Sequence, residues 1–227
     1  DMSRLSIQER TNFDQRFHHI RAIDPESVIP TGQRSGHDLS QVRKGGVFSY
    51  AGNTYRVTAV ATYTETKDDF KPKKNPDVAT ELTLFCLETA QTHYIEWLRD
   101  DELEIYFTER KISRKQLGTH LKYDDGEVVD LDDMDEVAEK GWELFFDGEE
   151  FPYDDDGAAM FRSDDGRESH VYSYDFGDED RGRWLTVEAW TDDPDSDTGT
   201  DTDWDYEVYL SITVPPNQIQ VMALGEA

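Results

Sequence analysis

The feature of this sequence that most constrains its fold is a long succession of short segments in which apolar and polar residues alternate. After Gly141 seven such segments follow one another, mostly joined by Asp-Gly or acidic turns, with no helical pattern between them. They are WELFFDG, EEFPYD, GAAMFRS, ESHVYSYDF, RWLTVEAW, DYEVYLSITV and NQIQVMAL. A period of two is typical of β-strands, and strands without intervening helices pair antiparallel. The sequence therefore predicts a mainly β protein.

The first half shows the same alternation in about five segments before residue 110. VFSYAGNTYRVTAVATYTET predicts a hairpin with a tight turn at Ala51-Gly52-Asn53, and ATELTLFCLE, THYIEWL and ELEIYFTER follow it. Cys86 lies in mid-strand among apolar neighbours, which favours an inert core thiol over a reactive one.

Two segments have helical patterns instead. Residues 6–22 begin with Ser6 and Glu9, which fit a capping box. Residues 130–141 have acids in the first turn and Gly141 as a stop. One face of the first helix is apolar and is expected to pack on the first β unit through Phe13, Phe17 and Ile20.

The whole formal charge of −28 lies in the second half of the chain. Residues 1–122 contain 18 acidic and 18 basic side chains, whereas residues 123–227 contain 33 acidic and 5 basic ones. Such a balance excludes a dedicated binder of the DNA backbone, which needs a basic face. Adaptation to high salt is the alternative explanation, but it would make both halves acidic.

Aromatic residues show that the acidic half is folded. It holds 15 of the 27 aromatic side chains, whereas disordered acidic segments are poor in them. Four tryptophans on expected strands or at a helix-to-strand junction are predicted to be largely buried: Trp97, Trp142, Trp184 and Trp190.

The two halves resemble each other in their strand-turn-strand segments. VFSYAGNTYRV corresponds to ELFFDGEEFPY, and THYIEWLRDDELEIYF corresponds to GRWLTVEAWTDD. This similarity favours an internal duplication. The expected architecture is two tandem small antiparallel units, barrel-like or sandwich-like, with a short N-terminal helix. Residues 1–40 would form a helical arm and linker, residues 41–122 a neutral first β unit, and residues 123–227 a strongly acidic second one.

Several of these segments resemble a bacterial family of domains of unknown function, DUF4178. The resemblance rests on Lys44-Gly45-Gly46 opening GGVFSYAGNTYRV, on Glu96-Trp97-Leu98, and on DGEEFPYDDDGAAMF followed by YSYDFGDEDRGRWLTVEAW, and it covers residues 40–222. Its motifs belong to turns and Trp-bearing strands, not to catalysis. The resemblance implies a cytoplasmic accessory role with membrane-stress proteins as partners, because such domains are encoded beside phage-shock-type proteins and spermidine-synthase-like enzymes.

The composition agrees with a cytoplasmic protein. A single cysteine can form neither an intrachain disulfide nor a Cys-based zinc site, which fits a reducing compartment. The first residues lack the apolar core of a signal peptide, and no window approaches the ~18 apolar residues of a membrane span. We expect a soluble protein with no transmembrane segment.

One acidic segment resembles a calcium loop in part. TDDPDSDTGTDTDWD places carboxylates at the first, third, fifth and ninth positions, but Thr198 and Trp204 stand where an EF-hand needs Gly and Glu. A solvated hairpin loop is the favoured interpretation, and no cofactor is expected unless it is calcium. The candidate ligands are Asp193, Asp195, Asp197 and Asp201.

No catalytic motif is present in the sequence. The six histidines have no zincin spacing, and neither a nucleophile elbow nor a Gly-rich phosphate loop occurs. A carboxylate-dependent hydrolase stays open as an alternative, because aromatic neighbours could raise the pKa of Glu96, Glu104 or Glu188. Strand alternation, with Glu on the solvent-exposed face and the aromatic residue on the buried face, is the favoured explanation of these residues.

Taken together, these patterns predict a non-catalytic cytoplasmic binding or adaptor protein. Its acidic second domain would engage a cationic partner, either a basic protein or a polyamine, without binding nucleic acid directly. An acidic protein that mimics DNA is the second alternative, beside the hydrolase.

Overall fold

A computed structural model describes residues 6–191 and 204–226, and it confirms a mainly β protein with a short N-terminal helix. The three α-helices of the described part are α1 (Ile7–Arg21), α2 (Arg114–His120) and α3 (Met134–Lys140). The strands are β1 (Val47–Tyr50), β2 (Asn53–Glu65), β3 (Val78–Cys86), β4 (Thr92–Arg99), β5 (Leu103–Lys111), β6 (Leu121–Lys122), β7 (Leu144–Phe146), β8 (Glu149–Phe151), β9 (Tyr153–Ser163), β10 (Glu168–Asp178), β11 (Arg183–Thr191), β12 (Asp205–Thr213) and β13 (Gln220–Ala223).

Ten strands share one hydrogen-bonded order, β13-β1-β2-β3-β4-β5-β12-β11-β10-β9, and β6, β7 and β8 form a separate small sheet. β2 also pairs with β9. The order therefore closes on itself, and the eight strands from β2 round to β9 form a closed β-barrel to which β1 and β13 are added.

The chain divides into two compact units, each assembled from separate segments. Unit 1 consists of residues 1–61, 80–105 and 214–227, and unit 2 consists of residues 62–79 and 106–213. Unit 1 has 14 acidic and 9 basic side chains, whereas unit 2 has 37 acidic and 14 basic ones. These units differ from the two β units expected from the sequence, residues 41–122 and 123–227. The negative charge is nevertheless concentrated in one unit, unit 2.

The two hairpins whose sequences resemble each other have the same turn. Ala51-Gly52 and Asp147-Gly148 both connect paired strands through two residues with positive φ, between 49° and 83°. This is the backbone that a two-residue hairpin turn requires. The β1–β2 hairpin belongs to the ten-stranded order and the β7–β8 hairpin to the small sheet. The shared turn accounts for the similarity, and tandem duplicated units are not confirmed.

The core of unit 2 lies between one face of β10, β11 and β12 and the segments that cover it. Tyr174, Val187 and Val208 are paired across the three strands and are buried together. α2, α3 and the small sheet supply the other side of this core with Leu117, Leu121, Met134, Val137, Leu144, Phe146 and Phe151. Burial of this apolar surface fixes the position of α3, which carries part of the site described below.

Two predictions about burial were wrong. The apolar face of α1 is exposed: Phe13 is 47% accessible, Phe17 51% and Ile20 52%. The helix contacts the rest of unit 1 through polar residues instead. Trp142 is 40% exposed, since it follows the left-handed Gly141 that ends α3. Of the other tryptophans, Trp184 is buried, and Trp97 and Trp190 are half-buried. Cys86 is fully buried, as predicted.

Gly177 of β10 is required by the packing of a tryptophan. It pairs with Trp184 of β11, whose buried indole donates a hydrogen bond from Nε1 to Thr213 Oγ1 at 3.0 Å. A Cβ at Gly177 would lie 2.4 Å from Trp184 Cε3 and 2.7 Å from the carbonyl oxygen of Arg183. Only glycine leaves room for the ring over this strand.

We expect Gly177→Ala to lower the free energy of unfolding by about 2–4 kcal/mol, because the indole or the strand must move. Gly157→Ala is the matched control: Gly157 lies in β9, and a Cβ there would meet nothing within 4 Å. Urea unfolding of both variants checks this. Equal stability of the two variants would contradict the packing argument.

Candidate functional site

Unit 2 contains a set of aspartates and tyrosines that contact one another, which we call the aspartate–tyrosine cluster. Side chains two residues apart on a strand share a face, so β10 places Tyr172 and Tyr174 side by side, with ring centroids 5.0 Å apart. The members of the cluster are Asp132, Asp135, Tyr153, Asp156, Tyr172, Tyr174 and Tyr206.

The tyrosine hydroxyls donate hydrogen bonds to the carboxylates of the cluster. Tyr153 and Tyr172 both donate to Asp156, one to each carboxylate oxygen. Tyr174 donates to Asp135 Oδ1 at 2.5 Å. Strand pairing explains the contact with Tyr172, because Asp156 of β9 lies opposite Tyr174 and diagonal to Tyr172. The contact with Asp135 depends on α3 being packed over β10.

The 3₁₀ turn before α3 supplies a third carboxylate. Asp132, in the turn Leu131–Asp133, lies close enough to Tyr206 of β12 for its charge to raise the pKa of that tyrosine. Asp132 and Asp135 are exposed and Asp156 is half-buried, whereas the ring of Tyr174 is only 5% exposed. The carboxylates of the cluster are therefore accessible to solvent, and the tyrosines that contact them are less exposed.

Burial and the neighbouring carboxylates keep the tyrosines protonated. Removal from water, followed by the hydrogen bonds to Asp156 and Asp135, raises the pKa of Tyr153, Tyr172 and Tyr174 far above its usual range. Burial and the charge of Asp132 raise the pKa of Tyr206 to about 12. The hydroxyls are thus permanent donors, and they hold the carboxylates in fixed positions.

The carboxylates of the cluster are not neutralised by cations of the described chain. Within residues 6–191 and 204–226, no Lys, Arg or His nitrogen lies within 4.0 Å of the carboxylates of Asp132, Asp135 or Asp156. Elsewhere in unit 2 most basic side chains are paired with acids, for example Arg110 with Asp147 at 3.0 Å. The cluster is therefore a local excess of negative charge.

Asp175 adds a partly protonated carboxyl beside the cluster. It follows Tyr174 on β10 and accepts a hydrogen bond from Thr186 Oγ1 at 2.6 Å. Burial raises the pKa of Asp175 to about 6, the Thr186 bond opposes this shift, and the charges of Asp154, Asp155 and Asp156 add to it. Burial is thus the main cause of the raised pKa, and the neighbouring aspartates add to it.

We expect Asp175→Asn to stabilise the protein at neutral pH and not at pH 4. Between pH ~4 and 6 the folded protein keeps a proton that the unfolded chain has released, so Asp175 lowers stability as the pH rises through this interval. Because the side chain is half-buried, we expect a gain of about 1–2 kcal/mol in the free energy of unfolding at pH 7. Thermal unfolding across this pH range is the measurement.

Asp180→Asn, an exposed site with the same change of charge, is the control for the Asp175 experiment. A gain at pH 7 that is equal in both variants would mean that only the total charge matters. A gain for Asp175→Asn that persists unchanged at pH 4 would exclude the proton as its cause.

Unit 1 contains a shallow cleft of about 530 Å³. Charged groups of both signs line it, among them Glu26, Arg43 and Glu226. Arg43 uses its guanidinium to donate to the carbonyl of Ser40 at 2.7 Å, and His37 Nδ1 lies 2.7 Å from Gln41 Oε1. These polar groups hold the surrounding turns in place, so the aspartate–tyrosine cluster is the stronger candidate site.

The carboxylates singled out in the sequence lie apart from the cluster. Glu96 is on β4 and Glu104 on β5, both in unit 1, whereas Glu188 on β11 accepts a hydrogen bond from Trp190 Nε1 at 3.1 Å. The candidate calcium ligands fall outside the described residues; they are Asp193, Asp195, Asp197 and Asp201. Among the residues that the structure does describe, no three His, Cys, Asp or Glu side chains are placed to hold a metal ion.

Sequence reasoning identified the acidic half but missed the tyrosines. Tyr172 and Tyr174 were visible as Tyr-x-Tyr in an expected strand, and the acids before α3 as its first turn. Their partnership depends on the packing of α3 over β10, which no local pattern encodes.

Comparison with known proteins gives a family assignment. The model of the family described as Domain of unknown function (DUF4178) matches residues 43–215. The chain belongs to this family. No match was found among curated proteins or among solved structures.

The DUF4178 match contains the complete aspartate–tyrosine cluster. α1 and β13 lie outside the matched residues. None of the helices in the described part of this DUF4178 protein is long and apolar enough to cross a membrane.

Proposed function

We propose that this protein is a non-catalytic binding or adaptor protein whose acidic half engages a cationic partner, a basic protein or a polyamine. The aspartate–tyrosine cluster is the proposed contact. A role in the cytoplasm, beside membrane-stress proteins, is the part of this proposal that the family resemblance suggests.

The observation that carries the proposal is the excess of fixed carboxylates over cations in the cluster. Asp156 holds two tyrosine hydroxyls and Asp135 holds one, and no basic side chain of the described residues is close enough to pair with either. Like charges that are close together repel each other, and the charge of Asp156 adds to burial in raising the pKa of Asp175. A bound cation would relieve it, which gives the partner part of its binding free energy.

The arrangement of the carboxylates favours an extended cation. Asp132 and Asp135 come from the segment around the start of α3, and Asp156 comes from β9. Between them lie half-buried tyrosine rings, whose negative faces attract ammonium and guanidinium groups. A polyamine or a Lys/Arg-rich segment carries several such groups spaced along an apolar chain.

The field of unit 2 would assist the encounter. Its large excess of acids attracts polycations over a distance set by the salt concentration. At about 150 mM salt the screening length is only about 8 Å, so attraction by the general field weakens while close pairs persist. Salt therefore separates a specific site from diffuse attraction.

We expect spermidine and a basic peptide to bind at low salt and to be released as salt rises above about 150 mM. The triple variant Asp132→Asn, Asp135→Asn, Asp156→Asn should weaken this binding about 10-fold or more, because three close ion pairs are lost. Isothermal titration calorimetry with spermidine and with a lysine peptide of matched charge is the measurement.

The matched control is Glu150→Gln, Glu179→Gln, Asp180→Asn, which removes the same charge from exposed positions of unit 2 outside the cluster. Equal weakening by the two triple variants would show diffuse attraction and contradict the cluster as a site. Absence of binding heat with either ligand at low salt would overturn the cationic partner altogether.

A further inference from the structure

Helix α1 packs on the rest of unit 1 through polar residues, whereas an ordinary amphipathic helix packs through its apolar face. Its half-buried residues are the polar Asn12, Arg16 and His19, whereas Phe13, Phe17 and Ile20, which we call the α1 stripe, are about half exposed. Phe13 and Phe17 stack on each other with ring centroids 6.2 Å apart. An exposed apolar stripe of this kind is typical of a surface that contacts another molecule.

The polar face of α1 makes several contacts with the rest of unit 1. The ring of His19 stacks on Phe85 with centroids 3.9 Å apart, and Arg56 Nη1 lies 3.2 Å from His19 Nδ1. Arg16 donates to the carbonyl of Glu88 at 2.5 Å. Rolling the stripe inwards would break all of these contacts, so its exposure is built into the docking.

Charge at the border of the α1 stripe restricts what can cover it. At about 100° per residue, Arg10 and Arg21 fall on the same flank of the stripe, with the exposed Asp14 just beyond them. The Arg21 guanidinium lies 5.5 Å from the centroid of the Phe17 ring. An antiparallel pair of α1 helices would bring these arginine flanks together. The stripe instead suits an aromatic surface with an acidic border.

Unit 2 of the same chain presents such a surface, the Trp142 patch, formed by Trp142 and Tyr123. Trp142 is 40% exposed, and the two rings meet edge to face with centroids 5.6 Å apart. The Lys140 ammonium lies 4.4 Å from the centroid of the Trp142 ring and is paired with Glu136, so the acids around the patch still outnumber the bases. The charges of Asp133 and Asp130 help to raise the pKa of Tyr123, after its burial. The adjoining turn adds the exposed acids Asp124, Asp125 and Glu127.

We propose that copies of this chain associate head to tail, with the α1 stripe of one copy covering the Trp142 patch of the next. The contact joins an apolar surface bordered by arginines to an aromatic surface bordered by carboxylates, so both burial and charge favour it. Such a contact is heterologous, so a dimer keeps one free α1 stripe on one copy and one free Trp142 patch on the other. The contact is small and therefore weak.

The first test is the mass of the full-length protein by sedimentation at about 150 mM salt, where repulsion between the acidic copies is screened. The apparent mass should rise above 26.2 kDa as the concentration increases. A range from about 10 µM to about 1 mM covers a weak contact. Phe17→Asp and Trp142→Asp should each weaken association about 30-fold or more, because each puts a charge in the centre of the contact.

The deciding measurement is an equimolar mixture of these two variants. Phe17→Asp keeps its Trp142 patch and Trp142→Asp keeps its α1 stripe, so the mixture should form one-to-one dimers and nothing larger. Gln15→Asp is the control: Gln15 is exposed on α1 but lies about 165° round the helix from the stripe, away from the arginine flank, and the variant should associate like the wild type.

A charge reversal tests the same contact without relying on the tryptophan, whose replacement could disturb the end of α3. Arg10→Glu with Arg21→Glu should weaken association, and mixing with an Asp124→Lys, Asp125→Lys, Glu127→Lys variant should restore it. A wild type that stays at 26.2 kDa throughout would overturn the proposal. Undiminished association of Trp142→Asp alone would do so too, because it would show α1 pairing with α1.

Discussion

Strand β2 is the element on which the rest of the structure depends, because it closes the barrel. In the strand order it lies between β1 and β3, and it also pairs with β9. Its 13 residues pair with β1 near Asn53, with β3, and with β9. Just beyond its end, the amide of Thr66 donates to the carbonyl of Ala158 in β9 at 2.8 Å. Closure satisfies the backbone groups that an open sheet would leave at its edge. It also fixes β9, which carries Asp156 of the aspartate–tyrosine cluster.

The sequence predicted the strands of this fold well and their order poorly. All twelve segments with alternating residues became strands, because alternation reports which face of a strand is buried, and that is a local property. The pairings of β5 with β12, of β1 with β13 and of β2 with β9 join distant segments, and periodicity carries no information about them. α2 was missed, although Ser113 and Gln116 form a capping box at its start.

The same distinction between local and distant interactions applies to the candidate site. The composition of each half located the negative charge, because a count of acidic residues does not depend on the fold. Which aspartates matter depended on two packing events, the register of β9 against β10 and the position of α3 over Tyr174. The prediction that α1 packs through its apolar face was wrong for a related reason. Contacts that His19 and Arg16 make with distant residues determine the orientation of the helix, and the local pattern does not contain them.

The pairing of β13 with β1 has a consequence for what can be separated from this chain. The family match ends at residue 215, yet Val221 and Ala223 of β13 are buried, and the Arg43 amide donates to the carbonyl of Leu224 at 2.8 Å. Gly46 is packed so closely there that a Cβ would lie 2.8 Å from that same carbonyl. A fragment cut at the family boundary would bare the outer edge of β1 and the apolar residues beneath β13. Such an edge invites strands from other molecules, so the excised fragment would be prone to aggregate.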